Sequence, residues 1–180
     1  LYPLLGMTFL QVAQFSREHT TPVLILGADS LPAKPCLLEG DEFATAFASE
    51  QDAKLFDLTI EQGLPEGVSA AELRTWAEQQ IQNGVYEAVV HFPNEFSKKL
   101  HEFREELSNE LDQSEATQPE FASEATSIPE PELFVNMASD KSRMARDRVS
   151  SVLARWRESI VVDNLREQHL PSNATTPFKV

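Results

Sequence analysis

The chain has 180 residues, a length that fits one domain or one domain with a flexible insert, and its 41% hydrophobic content with 11 Phe excludes a wholly disordered chain. Acidic residues outnumber basic ones 29 to 15, and the net charge of −14 repels phosphate backbones and anionic lipid headgroups, which argues against nucleic acid as a partner. The single cysteine, Cys36, excludes an internal disulfide and has no Cys or His neighbour at a zinc-ligand spacing.

Leu1 to Ser16 carries no charge. The stretch falls short of the ~20 apolar residues that span a bilayer, is interrupted by Gln11 and Gln14, and lacks the basic start and small-residue cleavage site of a secretory signal. Leu5, Phe9 and Val12 stand at helical spacing, so the stretch reads as an amphipathic first helix with those residues facing the core; the sharper reading is a fragment cut just after a membrane span, which makes residues 1–20 a membrane-proximal helix. Val23-Leu24-Ile25-Leu26 opens the α/β core, residues 21–112, as its first strand, and Gly27-Ala28-Asp29-Ser30 reads as the turn that ends it. A helix is expected from Asp41, burying Phe43 and Phe47, before a second strand at Leu55 to Ile60. Ser69 and Glu72 form a capping box ahead of a helix that lines one face with Leu73, Trp76, Ala77 and Ile81, and Asn83-Gly84 stops it.

A third strand spans Tyr86 to Phe92. The helix after Pro93 takes Asn94 as its cap and repeats Phe96, Leu100, Phe103, Leu107 and Leu111 along one stripe. Between Glu105 and Asp140 there are ten acidic residues and no Lys or Arg, so residues 113–131 read as an acidic disordered insert. The final strand at Leu133 to Met137 and a long helix from Ser139 or Asp140 complete the domain over residues 132–180. That helix buries Ala145, Val149, Val152, Trp156 and Ile160, and Pro171 forbids a further turn. At about 28 residues it would be ~42 Å long, more than the domain needs. Strands alternating with helices predict an α/β layered domain around a central mixed or largely parallel sheet of about four strands.

No chemical signature emerges from the same residues. With 6 Gly the chain has no phosphate-binding loop, and no G-x-S-x-G nucleophile elbow is present. His19, His91, His101 and His169 have no His or Cys partner at a ligand spacing, so no metal site is expected, and no cofactor site either. Carboxylate pairs such as Asp41-Glu42 and Glu105-Glu106 are sequence neighbours that diverge on a helix, and Asn173-Ala174-Thr175 matches a glycosylation sequon. Arg143, Arg146, Arg148, Arg155 and Arg157 flank the Trp156 stripe and read as solvated charges beside a core face.

Two segments carry a family resemblance. Tyr86-Glu87-Ala88-Val89-Val90-His91-Phe92-Pro93-Asn94-Glu95-Phe96-Ser97-Lys98-Lys99-Leu100 resembles the strand, proline and helix start of the extracytoplasmic domain of ABC-2-type export permeases. Phe134-Val135-Asn136-Met137-Ala138-Ser139-Asp140-Lys141-Ser142-Arg143, followed by Arg148-Val149-Ser150 and Ala154-Arg155-Trp156, is similar to the sodium-export branch of that family. Val23 to Asp29 fits the family's first strand, with Gly27-Ala28-Asp29 in place of the commoner Asn-Asn-Asp. The resemblance covers roughly residues 21–170. It implies a domain between two membrane spans on the extracytoplasmic (periplasmic) face of the cell membrane, without catalysis of its own. The implied partners are the membrane-embedded remainder of the permease, an ATPase subunit coupled through it and a dimer mate; sodium or another small cation is the implied cargo. The alternative, from another class, is a free-standing ligand-binding or sensory module with Asp29, His91 and Asn136 lining a cleft at the strand ends.

Overall fold

A computed structural model describes residues 20–113 and 128–167. The expected N-terminal helix therefore lies, but for Thr20, outside the described residues, as do residues 114–127 of the insert and the tail carrying His169, Pro171 and Asn173. In chain order come β1 (Thr21–Leu26), a 3-10 turn (Ala28–Ser30), β2 (Leu38–Glu39), β3 (Glu42–Phe43), α1 (Glu50–Ala53) and β4 (Phe56–Glu61). They are followed by α2 (Leu73–Gln82), β5 (Ala88–His91), α3 (Phe96–Gln113), β6 (Glu132–Val135) and α4 (Asp140–Glu167).

Four strands form one sheet in the order β4-β1-β5-β6, and β2 and β3 make a separate small hairpin. β1 pairs parallel with β4 and with β5, whereas β6 runs antiparallel to β5, so the sheet is mixed. The central strands read as continuous apolar runs because both of their faces are covered. On one face Val23, Ile25, Ala88 and Val90 pack with Phe43, Phe47, Leu100, Val149 and Trp156, contributed by the hairpin region, α3 and α4. On the other, Leu24, Leu26, Val89 and Phe134 meet Leu73, Ala77 and Ile81 of α2. The result is three layers, with helices on both sides of the sheet.

Helix ends follow local chemistry. At the start of α2 the Glu72 carboxylate accepts from both the Ser69 hydroxyl (2.6 Å) and the Ser69 N–H (3.2 Å), so the serine donates its hydroxyl to the acid. Its far end is a Schellman turn: Gly84 has φ +71°, its N–H donates to Ile81, and the Val85 N–H reaches back to Gln80. α3 starts one residue later than Asn94 would place it. Glu95 adopts φ +67° and its carbonyl accepts the Lys99 N–H at 2.8 Å, so Glu95 rather than Asn94 occupies the cap position. Ser139 caps α4 through its hydroxyl, which accepts from the Ser142 N–H at 3.3 Å.

The helix expected from Asp41 does not form. Gly40 and Asp41 instead turn the β2–β3 hairpin, which pairs Leu38 with Phe43. Phe43 and Phe47 are both buried, but Phe43 sits on a strand and Phe47 on the turn closed by Ala44. The four-residue spacing that reads as a helix is met by a strand followed by a bend. The insert is also shorter than expected at its second end: Ile128 packs against the core beneath α3 and α4, so residues 128–131 belong to the folded body.

α4 has 28 residues, and its stripe of Ala145, Val149, Val152, Trp156 and Ile160 is buried as expected. It begins at the edge where β1 starts, where Arg148 Nη1 donates to Thr21 Oγ1 at 2.8 Å, and crosses the sheet to the opposite edge. There Trp156 Nε1 donates to the Pro35 carbonyl at 2.8 Å, its ring stacks on Phe96 at 5.8 Å, and Phe92 meets it edge-on. Beyond that point α3 and α4 head in the same direction, separated by a groove that side chains bridge. Phe96 lies against Trp156, and Arg104 Nε, two turns on, donates to Asn164 Oδ1 at 2.6 Å. α4 continues about 16 Å past Trp156, outrunning a six-residue strand such as β1.

Candidate functional site

The three residues expected to line one cleft are divided between two ends of the sheet. Asp29 lies in the 3-10 turn just after β1, and His91 is the last residue of β5; Leu26 and His91 are register partners, so both sites share the edge where the parallel strands end. β6 enters at that edge, with Glu132 opposite His91, and leaves at the other, with Val135 opposite Ala88. Asn136 follows β6, one position past the Ala88–Val135 pair, and so sits at the far edge, about four strand residues or ~13 Å from His91. There its Oδ1 accepts the Ala138 N–H at 3.0 Å and shapes the turn into α4. Asp29, His91 and Asn136 therefore do not converge, because the last strand is antiparallel.

The shared edge is closed by its own hydrogen bonds. β1 and β4 leave the sheet towards opposite faces, the arrangement that opens a ligand crevice in many α/β folds. Here the Asp29 N–H donates to the Gln62 carbonyl at 3.3 Å and ties the two exits together. Gly27, at φ +77°, lies so close to the chain after β5 that a Cβ there would overlap the Phe92 carbonyl oxygen. His91 is 8% exposed, and its Nδ1 lies 3.2 Å from Glu132 Oε2, a partner from the neighbouring strand that no sequence spacing announces.

Two grooves border α4. One, of about 620 Å³, lies between α1, the start of β4 and the first half of α4; its charged walls include Asp52, Asp147, Arg148 and Arg155. Its cations are engaged in holding the fold. Arg143 pairs with Asp140, Arg148 donates to Thr21, and Arg155 Nη1 donates to the Phe47 carbonyl at 2.8 Å. Arg146 pairs with its neighbour Asp147. The second groove, about 590 Å³, runs between α3, α4 and residues 128–131, with Phe103, Leu153 and Ile160 among its walls and Arg157 at its rim. It is mainly apolar.

Titration is perturbed at three positions: Glu72, which is exposed, and Lys99 and Glu102, which are half-buried. The Ser69 hydroxyl, and then the Ser69 N–H, hold Glu72 below the usual carboxylate range. The hydrogen bond between Lys99 and Glu102 raises the lysine and lowers the acid. These groups cap and pair helical turns. Among the described residues no group of three or more His, Cys, Asp or Glu side chains is placed to hold a metal ion, and no helix is long and apolar enough to cross a membrane. No family model matches the chain, and comparison with curated proteins and with solved structures finds no match either.

Proposed function

We propose that this chain is the extracytoplasmic domain of an ABC-2-type export permease of the sodium-export branch, a non-catalytic body that assembles, gates or docks partners beside a membrane pathway. The observation that carries this reading is the length of α4, ~42 Å in 28 residues, with α3 heading the same way across a groove and tied to it by Arg104 and Asn164. A helix needed only to cover the core would end near Ile160, the last buried position of its stripe. A helix that continues beyond its last buried position is a strut, suited to connect a folded body to a structure at a distance. The strand-to-helix passages that carry the resemblance are the parts of the chain that build this strut: His91 to Phe96 launches α3, and Phe134 to Asp140 launches α4.

In this reading the membrane-embedded remainder carries sodium or another small cation, and the ATPase subunit supplies the energy through it. Cys36 provides the test, since it is an exposed free thiol. In intact cells expressing the full-length parent gene, a membrane-impermeant maleimide should label Cys36, and Cys36→Ser should lose that label. Labelling that appears only after the cells are permeabilised would overturn the assignment.

A further inference from the structure

The two edges of the sheet are protected differently. β6 has four residues and is flanked by α2 and α4, whereas β4 has six and, among the described residues, pairs only with β1. The Thr21 N–H donates to the Leu55 carbonyl at 2.7 Å, which fixes the alternation along β4. Asp57, Thr59 and Glu61 turn their backbone groups towards β1, and Phe56, Leu58 and Ile60 turn theirs outward. Those outward N–H and C=O groups have no partner among the described residues. Proline, a bulge or a lysine commonly blunts such an edge, and β4 has none of them.

The side chains state what would fit. Phe56, Leu58 and Ile60 face the larger core but stay half-buried, while Val23 and Ile25 beside them are fully buried. Asp57 and Glu61 stand exposed on the opposite face, where α2 does not reach. A second copy of β4 is a poor match. Antiparallel self-pairing sets Asp57 opposite Glu61, opposite another Asp57, or diagonal to one, and like charges so placed are destabilising.

We propose that the outer edge of β4 receives an extended segment of a partner protein in which Lys or Arg alternates with apolar residues, added as a fifth strand. Its amides satisfy the outward groups of Phe56, Leu58 and Ile60, its apolar side chains extend the half-exposed strip, and its cations face Asp57 and Glu61. The chain's net charge of −14 draws such a segment in over a distance.

The test uses the 180-residue chain and an end-blocked peptide of about seven alternating valines and lysines. Fluorescence anisotropy is expected to show saturable submillimolar binding, and amide exchange followed by NMR is expected to slow at Leu58 and Ile60. The double variant Asp57→Lys, Glu61→Lys, at exposed positions, is expected to weaken that peptide about tenfold and to gain a matching valine–glutamate peptide. No binding at millimolar peptide overturns the proposal, as does equal affinity in the double variant. Slow exchange at Leu58 and Ile60 in the chain alone also overturns it, because the edge would then be covered by the chain itself or by a second copy.

Discussion

Replacing Gly27 with alanine tests how the parallel strands are locked at their shared end. Two costs are expected, and they are separable. The first is conformational: φ +77° costs an alanine about 1 kcal/mol. The second is steric, since the added methyl would overlap the Phe92 carbonyl oxygen and stand 3.2 Å from its carbonyl carbon. Relieving that overlap means displacing backbone that is held by the Phe92 N–H to Leu26 bond of 2.9 Å and by the packing of Phe92 against Trp156. Loss of that bond and the repacking together add about 2–4 kcal/mol, for a total of about 3–5 kcal/mol. Gly84→Ala is the internal control: its φ is +71°, nothing lies within 4 Å of its added Cβ, and only the conformational cost of about 1 kcal/mol applies. Urea unfolding at constant m-value measures both. Equal losses for the two variants, within about 0.5 kcal/mol, would refute the steric argument and with it the close approach of β1 to the exit of β5.

Trp156→Phe should cost about 2–3 kcal/mol in denaturant unfolding, because it leaves the Pro35 carbonyl without its indole donor and opens space beside Phe96; a change below about 0.5 kcal/mol would contradict this. Ile128→Ala should cost about 1–2 kcal/mol, since Ile128 packs against the core, and no measurable loss would return residues 128–131 to the insert. Glu72 titrates below its unfolded value, so its contribution to α2 is complete above the ordinary carboxylate range and lost as the pH falls through the folded pKa. Ser69→Ala removes the hydroxyl donor and should move the Glu72 midpoint upward in carboxyl-detected NMR; an unmoved midpoint would show that the hydrogen bond is not what lowers it.

The features legible in the sequence are those decided by short-range chemistry. Val23 to Leu26 and Ala88 to His91 announce buried strands because both faces are apolar, and the stripe from Ala145 to Ile160 announces α4 because a helix repeats every 3.6 residues. Asn83-Gly84 marks the end of α2 through a backbone requirement that few residues meet. Strand direction is different in kind. Nothing between Leu133 and Val135 distinguishes a parallel partner of β5 from an antiparallel one, because the same alternation serves both. The candidate cleft failed at that point: with β6 reversed, Asn136 is carried to the edge opposite Asp29 and His91. Phe43 and Phe47 misled for a related reason, since a spacing of four fits a strand and bend as well as a helical turn. The partnership of His91 with Glu132 spans 41 positions, a separation that local pattern does not encode.

The pairing of His91 with Glu132 has a further consequence. It brings the two ends of residues 92–131 to within one strand spacing, about 5 Å, although forty positions of chain intervene. That whole excursion is therefore a cassette plugged into one rung of the ladder. Because its two ends are fixed by that one rung, the chain between them can lengthen, shorten or change composition while the parallel strands keep their register.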